Sequence, residues 1–258
     1  MTAINALAPT ADELDLEQGR LFEKLPGRSD TSIARFCDEL HKLPRSSYAE
    51  ALLGMGHLYE AFDLMFAIIA SSVQATHDVS PYDARYVTMQ NVLQPFASEY
   101  GIEPGRPLQN THRKLYAEFY ESATGEPWPA LYPAHSSSKW LACGRHWTKV
   151  MVERLQGDDL DLCQRAKYNL GYHWAVEALS VGEFDHLTAA WQSLGFHAPY
   201  MDAHCEVEEE HAGCAIGAVV AFSSVEDPLV VKGARDHESD LAGFYDQCTE
   251  LISGTPSI

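Results

Sequence analysis

The stretch that decides the reading is "YMDAHCEVEEEHAGCAIGAVVAF", Tyr200 to Phe222. On an α-helix, positions 201, 204, 208, 211, 215, 218 and 222 follow the i, i+3/i+4 rule and share one face. That face reads Met201, His204, Glu208, His211, Ala215, Ala218, Phe222, an apolar stripe broken by two imidazoles and a carboxylate. Polar groups set against a core must be paired or must bind something. Imidazole and carboxylate together suit iron, manganese or zinc. The polar part spans roughly 10 Å of helix axis, room enough for a pair of ions about 3.5–4 Å apart. An acidic run such as "EVEEEH" also describes a solvated face, and Glu206, Glu209 and Glu210 fit that description. Ligand set and solvated charge are both open at this point.

Outward from this helix the same 3.6 period recurs in long blocks, and no Val/Ile/Thr-rich alternation bounded by hairpin turns is found. The fold class is all-α. Helices are expected at Asp12–Leu25, Ser32–Leu43, Ser47–His77, Tyr82–Tyr100, Leu108–Ser122, Lys139–Gln156, Leu160–Ser180, Phe184–Leu194, Ala198–Ser223 and Val231–Leu251. Ser80 with Pro81 is expected to open one of them, and "GDD" at 157–159 to stop one and start the next. "TGEPWPALYPAHSSS", Thr124 to Ser138, carries three prolines and a serine run and reads as a surface excursion inside one domain spanning residues 1–258. The N-terminal segment of about 25 residues is expected to be peripheral to that domain.

Charge and cysteines exclude several function classes. With 37 acidic residues against 18 basic ones the net charge is −19, and no basic stripe offers a footprint for nucleic acid or an anionic membrane. Cys37, Cys143, Cys163, Cys205, Cys214 and Cys248 show no C-x-x-C pair and no disulfide framework. "MTAINALAPTADELDLEQ" lacks the basic region of a signal peptide, and the apolar run "LMFAIIASSV" is too short to span a bilayer. A reduced, cytoplasmic setting is expected.

A metal site needs more carboxylates, and the preceding helix offers one. In "YNLGYHWAVEALS", Leu170, His173, Trp174 and Glu177 share a face. Glu177 stands among Trp174, Ala175, Val176, Ala178 and Leu179, where an unpaired charge is costly; the alternative is a glutamate reaching the surface from the helix edge. His173 reads as a core histidine or as a partner orienting a ligand.

His204-x3-Glu208-x2-His211 on a late helix, preceded by a buried Glu177 on the helix before, resembles the heme-oxygenase-like diiron oxidases and oxygenases. These share the all-α bundle of thiaminase-like and pyrroloquinoline-quinone-synthase-like proteins. The family's last metal helix reads H-x3-D-x2-H, so Glu208 stands where aspartate is usual, and its extra methylene bears on which ion it serves. The family also supplies an earlier glutamate in an E-x-G turn, followed some ten residues later by a histidine opening the next helix. In "ASEYGIEPGRPLQNTHRKLYAEFYES", Glu99 and His112 take those places, with a spacing of 13 and Glu103 as a competing carboxylate. A further carboxylate that some N-oxygenating members carry one helix earlier would fall near Asp78, with His77 beside it.

The resemblance implies two ferrous ions held by Glu99, His112, Glu177, His204, Glu208 and His211, with dioxygen as co-substrate. It implies oxidation of a small amino-acid, amine or carboxylic-acid substrate by bond cleavage, rearrangement or N-oxygenation. An external electron donor and a homodimer are compatible with it. Trp174, Tyr172, Tyr200, Met201 and Phe96 are candidates to line the substrate pocket, and Arg113, Arg145 or Arg165 to anchor a carboxylate. Three rivals stand beside it. A ferritin-like carboxylate protein would use Glu183-x2-His186 with Glu208-x2-His211; a metal-free thiaminase-like hydrolase would need Cys143 as nucleophile near His146; and a helical binding module would use none of these.

Overall fold

The computed structural model describes residues 9–102, 105, 107–157 and 159–254. Among them it contains ten α-helices and no strand: α1 (Ala11–Phe22), α2 (Arg28–Glu39), α3 (Tyr48–Glu60), α4 (Phe62–Gln74), α5 (Tyr82–Glu99), α6 (His112–Thr124), α7 (Lys139–Gln156), α8 (Leu162–Ser193), α9 (Pro199–Phe222) and α10 (Pro228–Ser253). The all-α expectation is met. The ends are fixed by local chemistry: Thr10 and Asp161 form capping boxes with Glu13 and Gln164, and Thr111, Ser138 and Asp227 cap α6, α7 and α10, each satisfying an orphan N–H of a first turn.

Four expectations are corrected. The block Ser47–His77 is two helices, because the chain turns at Ala61. The blocks 160–180 and 184–194 are one helix of 32 residues: Gly182 sits inside it, a weakness of about 1 kcal/mol relative to alanine that the packing of α8 overrides. Ser80 does not cap α5, since its hydroxyl is engaged with Thr76. The N-terminal segment is less peripheral than expected, because Leu21 is fully buried and Phe22 meets Trp174 edge-on at 5.0 Å.

α8 is the axis of the bundle. α10 lies along one side of it, and the contact is made by backbone. A Cβ on Gly171 would meet the Val230 carbonyl oxygen at 2.0 Å, and one on Gly233 would meet that of Tyr168 at 2.1 Å. α9 lies along another side with α5 packed on it, and α4 bridges α5 and α8. Apolar side chains form two clusters. One is centred on Met65, Phe66, Leu170, Trp174, Ile216 and Val219, the other on Phe36, Met55, Phe119, Leu187, Trp191 and Phe244. Phe62 and Leu179 pack against both, so the polar side chains described next lie at the seam between them.

The helical stretch Arg45–Gln74, if counted through the turn at Ala61, is long and apolar enough to cross a membrane by length and composition. It is longer than the run singled out in the sequence. More than half of its most apolar 18-residue window is buried against the rest of the protein.

Candidate metal centre

Helices α5, α6, α8 and α9 bring together the six side chains that the sequence motifs single out. They fall into two groups whose donor atoms all lie within 4.8 Å of one another: Glu99, His112 and His204, and Glu177, Glu208 and His211. All but Glu99 are buried, each at 6% exposure or less. The first group places two imidazoles beside one carboxylate, the donor set of non-heme ferrous sites, and the second reverses that ratio.

Glu208 joins the groups. One of its oxygens is 3.8 Å from His211 Nδ1 and the other 3.9 Å from His204 Nε2. The added methylene thus leaves the carboxylate between the two groups, facing a histidine of each. Glu177 places its second oxygen 3.6 Å from His211 Nδ1, and Glu99 lies 3.0 Å from His112 Nδ1. Two donors about 2.1 Å from a shared ion are roughly 3.0–3.4 Å apart at tetrahedral or octahedral angles. Separations of 3.6–3.9 Å are too long for hydrogen bonds and need only a small contraction to close around a cation.

Other groups orient these donors. His204 Nδ1 donates to the Tyr200 carbonyl at 2.7 Å, which fixes the tautomer and turns the lone pair of Nε2 toward Glu208. The ring is held between Phe184, stacked at 4.1 Å, and the rings of Tyr200 and His112, each 4.3 Å away. His173, fully buried, sits 3.3 Å from Glu177 and supports that carboxylate from the preceding turn.

The electrostatics favour a cation. Three carboxylates converge, and no Lys or Arg among the described residues forms an ion pair with any of them. Burial, with Glu177 and Glu99 adding like charge, pushes the Glu208 carboxyl well above its ordinary value. Burial and the neighbouring His112 hold His204 well below the usual imidazole range, so it is neutral and able to ligate. Burial raises the Glu177 carboxyl too, but His173 and His211 outweigh it and keep the group ionised. One buried oxygen of each of Glu177 and Glu208 lacks a well-aligned hydrogen bond, so the donor set has room to satisfy one or two transition-metal ions.

A cavity of about 100 Å³ opens over the first group, lined by Tyr59, Glu60, Asp63, Glu99, His112, Arg113, Tyr116, Trp128, Tyr132 and Tyr200. Between the groups lies a space of about 30 Å³ reached by Tyr59, Phe66, Glu183 and Phe184. Several of these residues were not visible in the sequence. The turn at Ala61 points Glu60 and Asp63 into the cavity, where Asp63 takes a hydrogen bond from Tyr100 at 3.2 Å and is raised by burial and by Glu99. Asp63 occupies the helix before Glu99, where the sequence reading looked to Asp78; Asp78 instead pairs with His77 on the surface. The excursion 124–138 is more than surface, because Trp128 and Tyr132 wall the cavity. Glu103 lies outside the described residues.

Arg113 faces the cavity, paired with Glu60. The other candidates part company with it. Arg145 and Arg165 donate to the backbone of Pro133 and of Arg154 and Gly157. Tyr172 turns toward α10, its hydroxyl 3.4 Å from Asp240, and Trp174 is fully buried against Phe22. Phe96 stacks on Phe66 and Met201 is core, whereas Tyr200 does line the cavity.

One residue that each of the two rival enzyme readings needs is placed away from the site. His186, the histidine of the second E-x-x-H, is turned outward and pairs with Asp30 at 3.1 Å. Cys143 is buried in the apolar cluster with its thiol against that of Cys248.

No family model and no curated protein matches the sequence. Two crystal structures of a CadD-like protein of unknown function from Nostoc punctiforme PCC 73102, at 2.00 and 1.35 Å resolution, are similar in fold. Their TM-scores are 0.68 and 0.67 at 13% identity, over 94% and 96% of this chain and 98% of theirs. At that identity the likeness extends to the helical fold of the whole chain.

Proposed function

We propose that this protein is a non-heme diiron enzyme that uses dioxygen to oxidise a small amino acid or amine. The observation that carries the reading is the gathering of three glutamates and three histidines, nearly all buried, into two adjoining donor groups with Glu208 between them. Two ferrous ions would supply the electrons and open coordination positions with which dioxygen is reduced. Glu99, His112 and His204 would hold one ion, Glu177 and His211 the other, and Glu208 would serve both. Their charge, minus three with neutral imidazoles, largely balances two divalent ions.

The chain's own residues have further tasks in this reading. The rings of Tyr116, Trp128, Tyr132 and Tyr200 wall the space over the first group and would limit the water around a bound substrate. The Arg113 guanidinium and the carboxylates of Glu60 and Asp63 supply both signs of charge on the cavity wall, the arrangement that orients a zwitterion or an ammonium group. An external electron donor would be needed where the substrate supplies fewer electrons than dioxygen takes up.

The test is anaerobic titration with Fe(II), followed by exposure to oxygen with candidate amino acids and amines while visible absorbance and oxygen uptake are recorded. Two ferrous ions per chain, lost in Glu177→Ala and His204→Ala, are expected. Wild-type protein that binds no iron and consumes no oxygen would sink the reading.

A further inference from the structure

Two cavities of this protein share one acidic side chain. Glu183, 6% exposed, lines the space between the donor groups. It also lines a cavity of about 360 Å³ against an adjacent face of α8, walled by Phe22, Leu25, Ile33 and Ala178 and carrying the exposed Asp30. The carboxylate accepts hydrogen bonds from Tyr59 on α3, at 3.4 Å, and from Tyr245 on α10, and the two hydroxyls are 3.0 Å apart. Tyr59 continues the line inward, because it borders both the space between the groups and the 100 Å³ cavity.

Asp240, a carboxylate with little exposure on α10, is matched by the Arg154 guanidinium. Glu183 has no such partner among the described residues. The titratable groups around it are Tyr59, Tyr245, Cys37 and Tyr200, with Glu99, Glu177, His204 and Glu208 across the inner space and Glu238 and Asp30 across the larger cavity, none of them a standing cation. Burial, partly offset by the two tyrosine hydroxyls, pushes its carboxyl up to about 7, where both protonation states are populated at neutral pH and transfer is easiest in either direction.

We infer that Glu183 is a proton shuttle, taking protons from water in the cavity beside α1 and α2 and passing them through Tyr59 to the reaction space. In one transfer the protonated carboxyl donates to the Tyr59 oxygen while Tyr59 releases its own proton to an acceptor in the inner cavity, and a hydrated proton in the outer cavity then reprotonates Glu183, leaving water. One proton moves and no electron does. The purpose of the path rests on the dioxygen-dependent reading, since full reduction of O2 to two waters takes four electrons and four protons. Those electrons would come from the ferrous ions together with the substrate or an external reductant. The geometry of the path does not depend on that reading.

The test therefore has two arms on the full-length protein. Without metal, infrared difference spectra across neutral pH are compared for wild type and Glu183→Gln. A buried carboxyl C=O band that titrates near neutrality, shifts promptly in D2O and vanishes in the variant is expected, with exchange slowed when Ala178→Phe fills the outer cavity. Absence of the band, or exchange no faster than that of core backbone amides, would overturn the inference.

With Fe(II) and oxygen, Glu183→Gln is expected to retain the iron stoichiometry but slow oxygen consumption by about 10²-fold, the low end for a lost proton-transfer group. It should also lose the inflection of the pH profile near neutrality, with part of the rate returning in Glu183→Asp. Tyr59→Phe is expected to slow the rate similarly and provides the test should Glu183→Gln fail to fold. Wild-type rate and pH profile in both variants would overturn the shuttle while leaving the diiron reading standing. Wild-type protein that consumes no oxygen would remove the diiron reading and leave the infrared arm to decide.

Discussion

Toward α9, helix α8 presents His173 and Glu177; toward α7 and α10 it presents Tyr168 and Tyr172. The second face meets a polar cluster that is complete in itself. Arg154 grips Asp240 with two nitrogens at 2.9 and 3.1 Å and reaches Asp236 at 3.3 Å. Tyr168 donates to Asp236 at 2.7 Å, and Lys232 pairs with the same carboxylate. Two acids are answered by two cations. On the first face three acids meet imidazoles only, and one oxygen of each of Glu177 and Glu208 lacks a well-aligned hydrogen bond. Both clusters belong to one fold and pack against one helix, so the difference is not one of general packing quality. The first face is left with carboxylates that could hold added positive charge, while the second ties α7, α8 and α10 together.

The comparison can be broken most directly by supplying the missing charge. Fe(II) added anaerobically at 100 times its dissociation constant should stabilise the protein by about 2.7 kcal/mol, which for a chain of this size raises Tm by roughly 5–11 °C. The shift should vanish in Glu177→Ala and His204→Ala and survive changes at Arg154. A wild-type Tm insensitive to Fe(II), Mn(II) and Zn(II) alike would erase the distinction between the faces. Removing the charge that completes the other cluster is the converse test. Arg154→Met should cost about 2–3 kcal/mol in urea denaturation, less than a fully buried pair because Arg154 is partly exposed, and no metal should restore it.

A separate effect, gradual in pH, lies outside both clusters. His237 is buried without a partner for Nδ1, and burial lowers its imidazole to about 3. The unfolded chain takes up that proton below about pH 6.5 while the folded chain does not. Stability should therefore be complete above that pH and fall as pH drops toward 3, by at most about 1.4 kcal/mol per unit. His237→Phe should flatten this slope; an unchanged slope would assign acid lability to other groups. The smallest effect concerns Glu208, whose carboxyl is raised well above its ordinary value by burial and by Glu177 and Glu99. Glutamine imitates the protonated form, so Glu208→Gln should change metal-free stability by less than about 0.5 kcal/mol yet weaken metal binding. A large loss of stability without metal would show that Glu208 is a structural anion.

The parts of the site legible in the sequence are those written locally. His204, Glu208 and His211 announce themselves by interrupting a periodic apolar face, and Glu177 by standing among apolar neighbours. Glu99 and His112 needed the resemblance, because each sits at a helix end where a charged residue is unremarkable. Asp63, Trp128 and Tyr132 were not legible, since their roles come from a turn at Ala61 that no glycine or proline marks and from a loop folding back over α3 and α6. The continuity of α8 through Gly182 was missed for a related reason. Helix propensity at one residue is worth about 1 kcal/mol, far less than the packing of Phe184 and Leu187 beyond it. Reading Gly182 as a junction also left Glu183 only as half of a rival metal motif, whereas the unbroken helix carries it inward beside Tyr59 and Tyr245.

The spacing of 13 residues between Glu99 and His112 looked too long for the resemblance. Gly101 resolves it: its φ of +71° turns the chain, its carbonyl accepts from Gln109 N at 2.8 Å, and a Cβ there would strike the Gln109 oxygen at 2.4 Å. The end of α5 and the approach to α6 are thereby buckled together two residues from Glu99 and three from His112. That backbone contact sets the distance between the two donors, so Gly101→Ala should spread them apart and weaken Fe(II) binding in an anaerobic titration.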